Sequence, residues 1–311
     1  MKAVLAVIVA VALLAPAAAT AQTQSAIDDP EANLLAELIV IAPIEGPAWW
    51  RVSKGDSVVW IMAMPASSLP TGMAWDSKAL DRRLKGANAF LTFPRIQVSI
   101  GRPAKDEPPV AVPSALAARF ARVRTRIGRP EGRYAEPIPA RAFFQLQKDY
   151  YRWAKLDYGA GVAARVEARA RRAGVAVRRP AAINGGALTP ADMAPWHPGA
   201  AACLDALLDD VEVPAEQKYA AAAGWARGDL KAALTAPRDP WAICENRLFS
   251  EGSSRRAIEL QVAAIERALA KPGKTVAIAS LRQLLAEEGI LDRLAAKGYQ
   301  ITAPTDFSET E

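Results

Sequence analysis

Apolar and polar positions alternate in two regimes along the chain. The first regime is strand-like. The run "AWWRVSKGDSVVWIMAM" holds two β-rich stretches on either side of Lys54-Gly55-Asp56-Ser57, and this pattern predicts a β-hairpin. A helix is predicted over 76–84, and "ANAFLTF" at 87–93 reads as a strand. The second regime begins after "GRPAKDEPPVAVP" at 101–113, whose four prolines predict a loop. Helices are predicted over 114–126, 140–155 and 160–173. In the second of these, Phe143, Leu146, Tyr150 and Trp153 recur at three- and four-residue steps.

The pattern becomes mixed further on. Val175 to Val177 reads as a short buried strand and Asn184-Gly185-Gly186 as a turn. Thr189-Pro190 supplies a helix start with a capping threonine and a first-turn proline. Helical periodicity is predicted over 214–234 and 254–270. "TVAIAS" is then a buried strand, 281–298 a helix, and "YQIT" a last strand. Strands at both ends and helices between predict an α/β (α+β) fold. Its central mixed sheet is formed from the N- and C-terminal regions and covered by helices, with a helical section about 114–270.

The first residues read differently. Lys2 precedes an apolar run from Ala3 to Ala15, Pro16 breaks it, and Ala19-Thr20-Ala21 has the A-x-A form of a cleavage site. This predicts a signal peptide at 1–21 and an exported protein, periplasmic or extracellular, with no transmembrane segment after cleavage. A lead-in follows at 22–46, the main domain at 47–303, and an acidic tail at 304–311. Export gives Cys203 and Cys244 two readings, a disulfide or a pair of buried thiols, and spacing alone does not choose between them.

Composition narrows the function classes. The 311 residues are 51% hydrophobic and 23% charged, with a net charge of +6. The charge is well mixed and specifies no partner. The basic runs at 122–129 and 165–179 read as solvated helix faces. An exported protein seldom meets nucleic acid, so a small polar or anionic ligand, or a component of the cell envelope, is the expected partner. The sequence leaves the oligomeric state open. The eight tryptophans read as core residues. His197, the one histidine, sits in "PWHPG" and reads as a loop imidazole. Ser67 and Ser68 lie at a strand end, but "MPASSLP" lacks the glycines of a nucleophile elbow. No glycine-rich phosphate loop is present, and no cofactor is expected.

Three stretches carry a family likeness. "AWWRVSKGDSVVWIMAMPASSLP", "WARGDL" and "KTVAIASLRQLLAEEGILDRLAAKGYQITAP" resemble the opening, middle and closing segments of the TraB/PrgY/GumN family, related to Tiki-type metalloproteases. The resemblance implies a strand-end metal site with two Gly-x-x-His motifs. The first falls on Ala63 to Ala66, or one step later on Met64 to Ser67. The second falls on Ser280-Leu281-Arg282-Gln283, so Gln283 takes the ligand place. The family's carboxylates fall near Phe93 and near Arg178 or Arg179. A transition-metal site needs three or four His, Cys or carboxylate ligands, and these positions supply none. The expectation is a metalloprotease-like scaffold without metal or catalytic residues, serving as a binding or scaffolding protein. Its vestigial pocket would be formed by Ala63, Ala66, Ser67, Ser280, Arg282 and Gln283. The alternative is a hydrolase or peptidase with a non-histidine residue set, drawn from the helices around Asp205, Asp209, Asp210 and Asp229.

Overall fold

The computed structural model describes residues 46–65, 68–101, 112–135, 139–157, 161–195, 197–249 and 252–304. The predicted signal peptide, nearly all of the lead-in, most of the acidic tail, Ala66, Ser67 and Trp196 lie outside the described residues.

The predicted hairpin is β1 (Trp49–Lys54) and β2 (Ser57–Met64), with Lys54 opposite Ser57. Gly55 holds φ 54° at the first central position of the tight turn, where a side chain would be strained. β3 (Ala89–Leu91) follows helix α1 (Lys78–Leu84). β7 (Gly273–Ser280) inserts between β2 and β3 and runs parallel to both. Its Val276 to Ala279 are buried, as a central parallel strand covered on both faces requires. β8 (Gln300–Thr302) pairs antiparallel with β1, and the two-residue β5 (Val177–Arg178) pairs with β3. The order is β5-β3-β7-β2-β1-β8, so both chain regions build one mixed six-stranded sheet.

Helices cover this sheet. α9 (Ser253–Leu269) turns Ile258, Val262, Ile265 and Leu269 inward at helical spacing. α4 (Gly161–Arg172) contributes Val162, Val166 and Ala170 to the same core. The helices α2 (Ser114–Arg126), α3 (Pro139–Trp153), α5 (Pro198–Glu212) and α8 (Pro240–Cys244) gather around a second apolar core centred on Phe143, Leu146, Leu204 and Leu208.

Several local expectations are corrected. Asn184-Gly185-Gly186 is not a free turn but lies within β6 (Ile183–Leu188), parallel to β4 (Ile96–Ile100) in a two-stranded sheet. The section 114–270 therefore holds β5 and β6 besides its helices. The register shifts opposite Gly186, whose φ of 77° favours glycine. No helix starts at Thr189: Thr189 and Asp192 cap each other in a turn, and α5 starts at Pro198 with His197 as its N-cap. The predicted 214–234 helix breaks at Gly228 into α6 (Ala215–Ala226) and α7 (Leu230–Ala233). The predicted 281–298 helix breaks before Gly289 into α10 (Leu281–Leu285) and α11 (Ile290–Ala296). Among the described residues no helix is long and apolar enough to cross a membrane.

Candidate functional site

Parallel strands deliver their carboxyl ends to one side of a sheet, and clefts form there. Met64 of β2 is level with Ser280 of β7, and β3 ends at Leu91, level with Ala277, leaving Phe93 and Pro94 to run on along the same edge. A cleft of about 500 Å³ opens on these ends. Its strand-end wall is Met64, Pro65, Ser68, Phe93, Pro94, Ser280, Arg282 and Gln283. The facing wall comes from Tyr151 of α3, the start of α4, and Asp239, Trp241 and Glu245 at α8 and the turn after it.

Three of the six predicted pocket residues, Ser280, Arg282 and Gln283, line this cleft. Ala63 lies behind it, fully buried, with its carbonyl accepting from the Trp225 indole at 2.8 Å. Ala66 and Ser67 are outside the described residues. Arg282 is anchored rather than swinging: its guanidinium donates to the carbonyls of Leu234 at 3.0 Å and Ala236 at 2.8 Å. Phe93 lines the cleft, and its carbonyl accepts from Arg179 at 2.9 Å. Arg179 also pairs with Glu167, which accepts from the Thr92 hydroxyl at 2.6 Å. Burial would raise the Glu167 carboxyl, but these partners outweigh it and hold it below the usual range.

The facing wall was not legible as a site. Asp239 caps α8 by accepting from the Trp241 amide at 3.0 Å, and no reading of the sequence placed it at the strand ends. Solvent entering the cleft reaches Asp239, yet protein crowds it, and water in a narrow cleft hydrates an anion less fully than bulk water. This desolvation, helped by Asp210 and opposed by the Trp241 amide and Lys218, pushes its carboxyl up to about 6. Tyr151 is buried, and its hydroxyl donates to Asp210 at 2.7 Å. Burial, then the charges of Asp210 and Asp239, hold that phenol well above its ordinary value, so it stays protonated. Asp210 is in turn ion-paired with Lys218 and accepts from Gln147 at 3.1 Å. Lys218 is fully buried and lies over the Tyr150 and Tyr151 rings. A closed ion pair thus underlies the cleft wall.

The acids weighed for a hydrolase do not meet. Asp205 and Asp209 face Arg119 on the outer side of α5, Asp210 is enclosed with Lys218, and Asp229 caps α7 through the Ala232 amide. The acids that reach the cleft are Asp157, Asp239 and Glu245. Asp157 is paired with Arg165 at 3.4 Å. Among the described residues no three His, Cys, Asp or Glu lie close enough to share an ion. The metal that the resemblance implies does not fit this donor set. Gln283 is a poor ligand, Ser280 and Arg282 bring neither imidazole nor carboxylate, and His197 caps α5 at the surface.

Cys203 of α5 and Cys244 of α8 form a disulfide, with their Cα atoms 4.5 Å apart. It fixes the short helix that carries Trp241 and is capped by Asp239. Set against protein-family models, curated proteins and solved structures, the chain matches none.

Proposed function

We propose that this chain is an exported, TraB/GumN-like binding protein of the cell envelope that holds a small polar ligand in its strand-end cleft without a catalytic metal. One observation carries the reading. The cleft sits at the carboxyl ends of β2, β3 and β7, and Ser280, anchored Arg282 and Gln283 line it where a metal site would need histidines. Hydroxyl, amide and guanidinium groups, facing the Trp241 side of the cleft, suit hydrogen bonding to a polar molecule. Elemental analysis of protein purified without chelator, followed by calorimetric titration with manganese, cobalt and zinc, tests the reading. It expects no stoichiometric metal, and tight one-to-one metal would contradict it.

Asp239 favours a second reading, a hydrolase with a carboxylic acid in the cleft. A carboxyl held near 6 is suited to general-acid work at mildly acidic pH. Turnover of ester, amide or glycoside reporters that falls above pH 6 and is lost in Asp239→Asn would move the assignment to this reading.

A further inference from the structure

A second concavity lies next to the cleft and has the opposite chemistry. It is an open groove of about 560 Å³ lined by Thr71, Lys148, Arg152, Lys155, Leu156 and Asp157. Lys148, Arg152 and Lys155 stand at i, i+4 and i+7, so the face of α3 and the turn beyond it align three cations.

Lys155 is there by constraint. It holds φ 51°, a left-handed conformation unfavourable for a residue with a Cβ. Its amide donates to the Arg152 carbonyl at 3.3 Å, and its carbonyl accepts from the Thr71 amide at 2.7 Å. Leu156 next to it forms a bridge with Pro70. The chain thus bends the helix end against 70–71 and keeps Lys155 on the groove. With the Leu156 amide donating to the Tyr151 carbonyl, this is the left-handed cap in which many helices end, and it sets where Lys155 stands.

Charge accounting leaves the groove positive. Buried Asp149 is shared by Arg133 and Arg152, and Asp157 is engaged by Arg165. Lys148 and Lys155 are exposed, and among the described residues no side-chain hydrogen bond or ion pair engages either ammonium. Ammonium and guanidinium groups only donate, and the Thr71 hydroxyl can donate as well, so the groove calls for an acceptor-rich anion.

We propose that this groove binds a phosphate group through Lys148, Arg152 and Lys155. The site goes beyond the cleft reading and stands whether or not the cleft is occupied. The phosphate has two sources, a soluble ligand or a phospholipid headgroup, and the shared chemistry is the phosphate's acceptor oxygens. The experiment uses the mature protein at low ionic strength. One arm titrates inorganic phosphate by calorimetry. The other measures co-sedimentation with vesicles of phosphatidylglycerol and phosphatidylcholine.

The groove variant is Lys148→Gln with Lys155→Asn, since Asn tolerates the left-handed backbone. Arg152 is kept because it neutralises buried Asp149. Lys155→Gly replaces the Asn if that variant melts early. A control removes two charges at the opposite end of the sheet, Lys54→Gln with Lys271→Gln. Expected is saturable one-to-one binding that weakens at least tenfold in the groove variant and less than twofold in the control. Binding of free phosphate assigns a soluble source, and vesicle binding alone assigns a headgroup. No saturable binding in either arm, or equal weakening in both variants, overturns the proposal.

Discussion

The indole nitrogen of Trp225 donates to the carbonyl of Ala63 across 2.8 Å, joining helix α6 to the end of strand β2. Both residues are buried, and the Trp225 ring also meets Trp75 edge-on at 5.7 Å. Trp225→Phe keeps most of the ring but leaves a buried carbonyl without this donor. The expected loss is about 1–3 kcal/mol, against about 3–5 for Trp225→Ala. Urea unfolding of the two variants checks the order. Equal losses would show that the ring contributes nothing beyond its hydrogen bond.

The Lys218–Asp210 pair is enclosed, and removing one member strands the other. Lys218→Met is expected to destabilise by about 3–5 kcal/mol, and Lys218→Met with Asp210→Leu by much less. A double-mutant cycle from denaturation midpoints measures the coupling. A double variant as unstable as the single one would show that Tyr151 and Gln147, which both donate to Asp210, matter more than the charge pair.

Two carboxyls give stability opposite pH dependences. Folding raises Asp239 from 3.8 to about 6, so the native state keeps a proton that the unfolded chain releases. Its contribution is fully present below about pH 4 and is lost as the pH rises to 6. Asp149 runs the other way. Burial would raise it, but hydrogen bonds from Arg133, Gln145 and Tyr134 prevail and hold it at about 2. Its contribution is present above about pH 4 and fades as the pH falls toward 2. Asp239→Asn, which retains the helix cap, should flatten the stability profile between pH 4 and 6 and leave the acid limb alone. Urea midpoints across pH 3–8 report this, and an unchanged slope between 4 and 6 would refute the assignment.

The disulfide ties α5 to the cleft wall. Cys203→Ala with Cys244→Ala opens a loop of 41 residues in sequence separation. The chain-entropy argument puts the cost at about 3–4 kcal/mol. Amide exchange in α8 should accelerate more than in β7, which the bond does not touch. Equal acceleration throughout would mean that the bond stabilises the fold without positioning Asp239 and Trp241.

The sheet was legible because its strands obey simple patterns. "TVAIAS" is a continuous apolar run, and a tight two-residue turn separates β1 from β2. The β4–β6 pair was not, because Asn184-Gly185-Gly186 reads as a turn while tertiary pairing with β4 makes it a bulged strand. The breaks at Gly228 and before Gly289 hide in apolar periodicity that continues across them. Half of the predicted pocket residues line the cleft because they sit at a strand end: Ser280 closes β7, and Arg282 and Gln283 follow it. The facing wall was not legible in this way. Tyr151, Asp239 and Glu245 lie far from β7 in sequence, and a disulfide and a buried ion pair bring them to the cleft, which no spacing encodes.

The central claim is that ligands enter at the ends of β2, β3 and β7. A screen of small polar fragments by amide chemical-shift mapping, on unmodified protein and on Ser280→Trp, tests it most directly. The account predicts shifts clustered on Ser68, 280–283 and 239–245, abolished when the indole fills the cleft. Shifts clustered elsewhere, or unchanged by Ser280→Trp in a variant that melts like the parent, would contradict it.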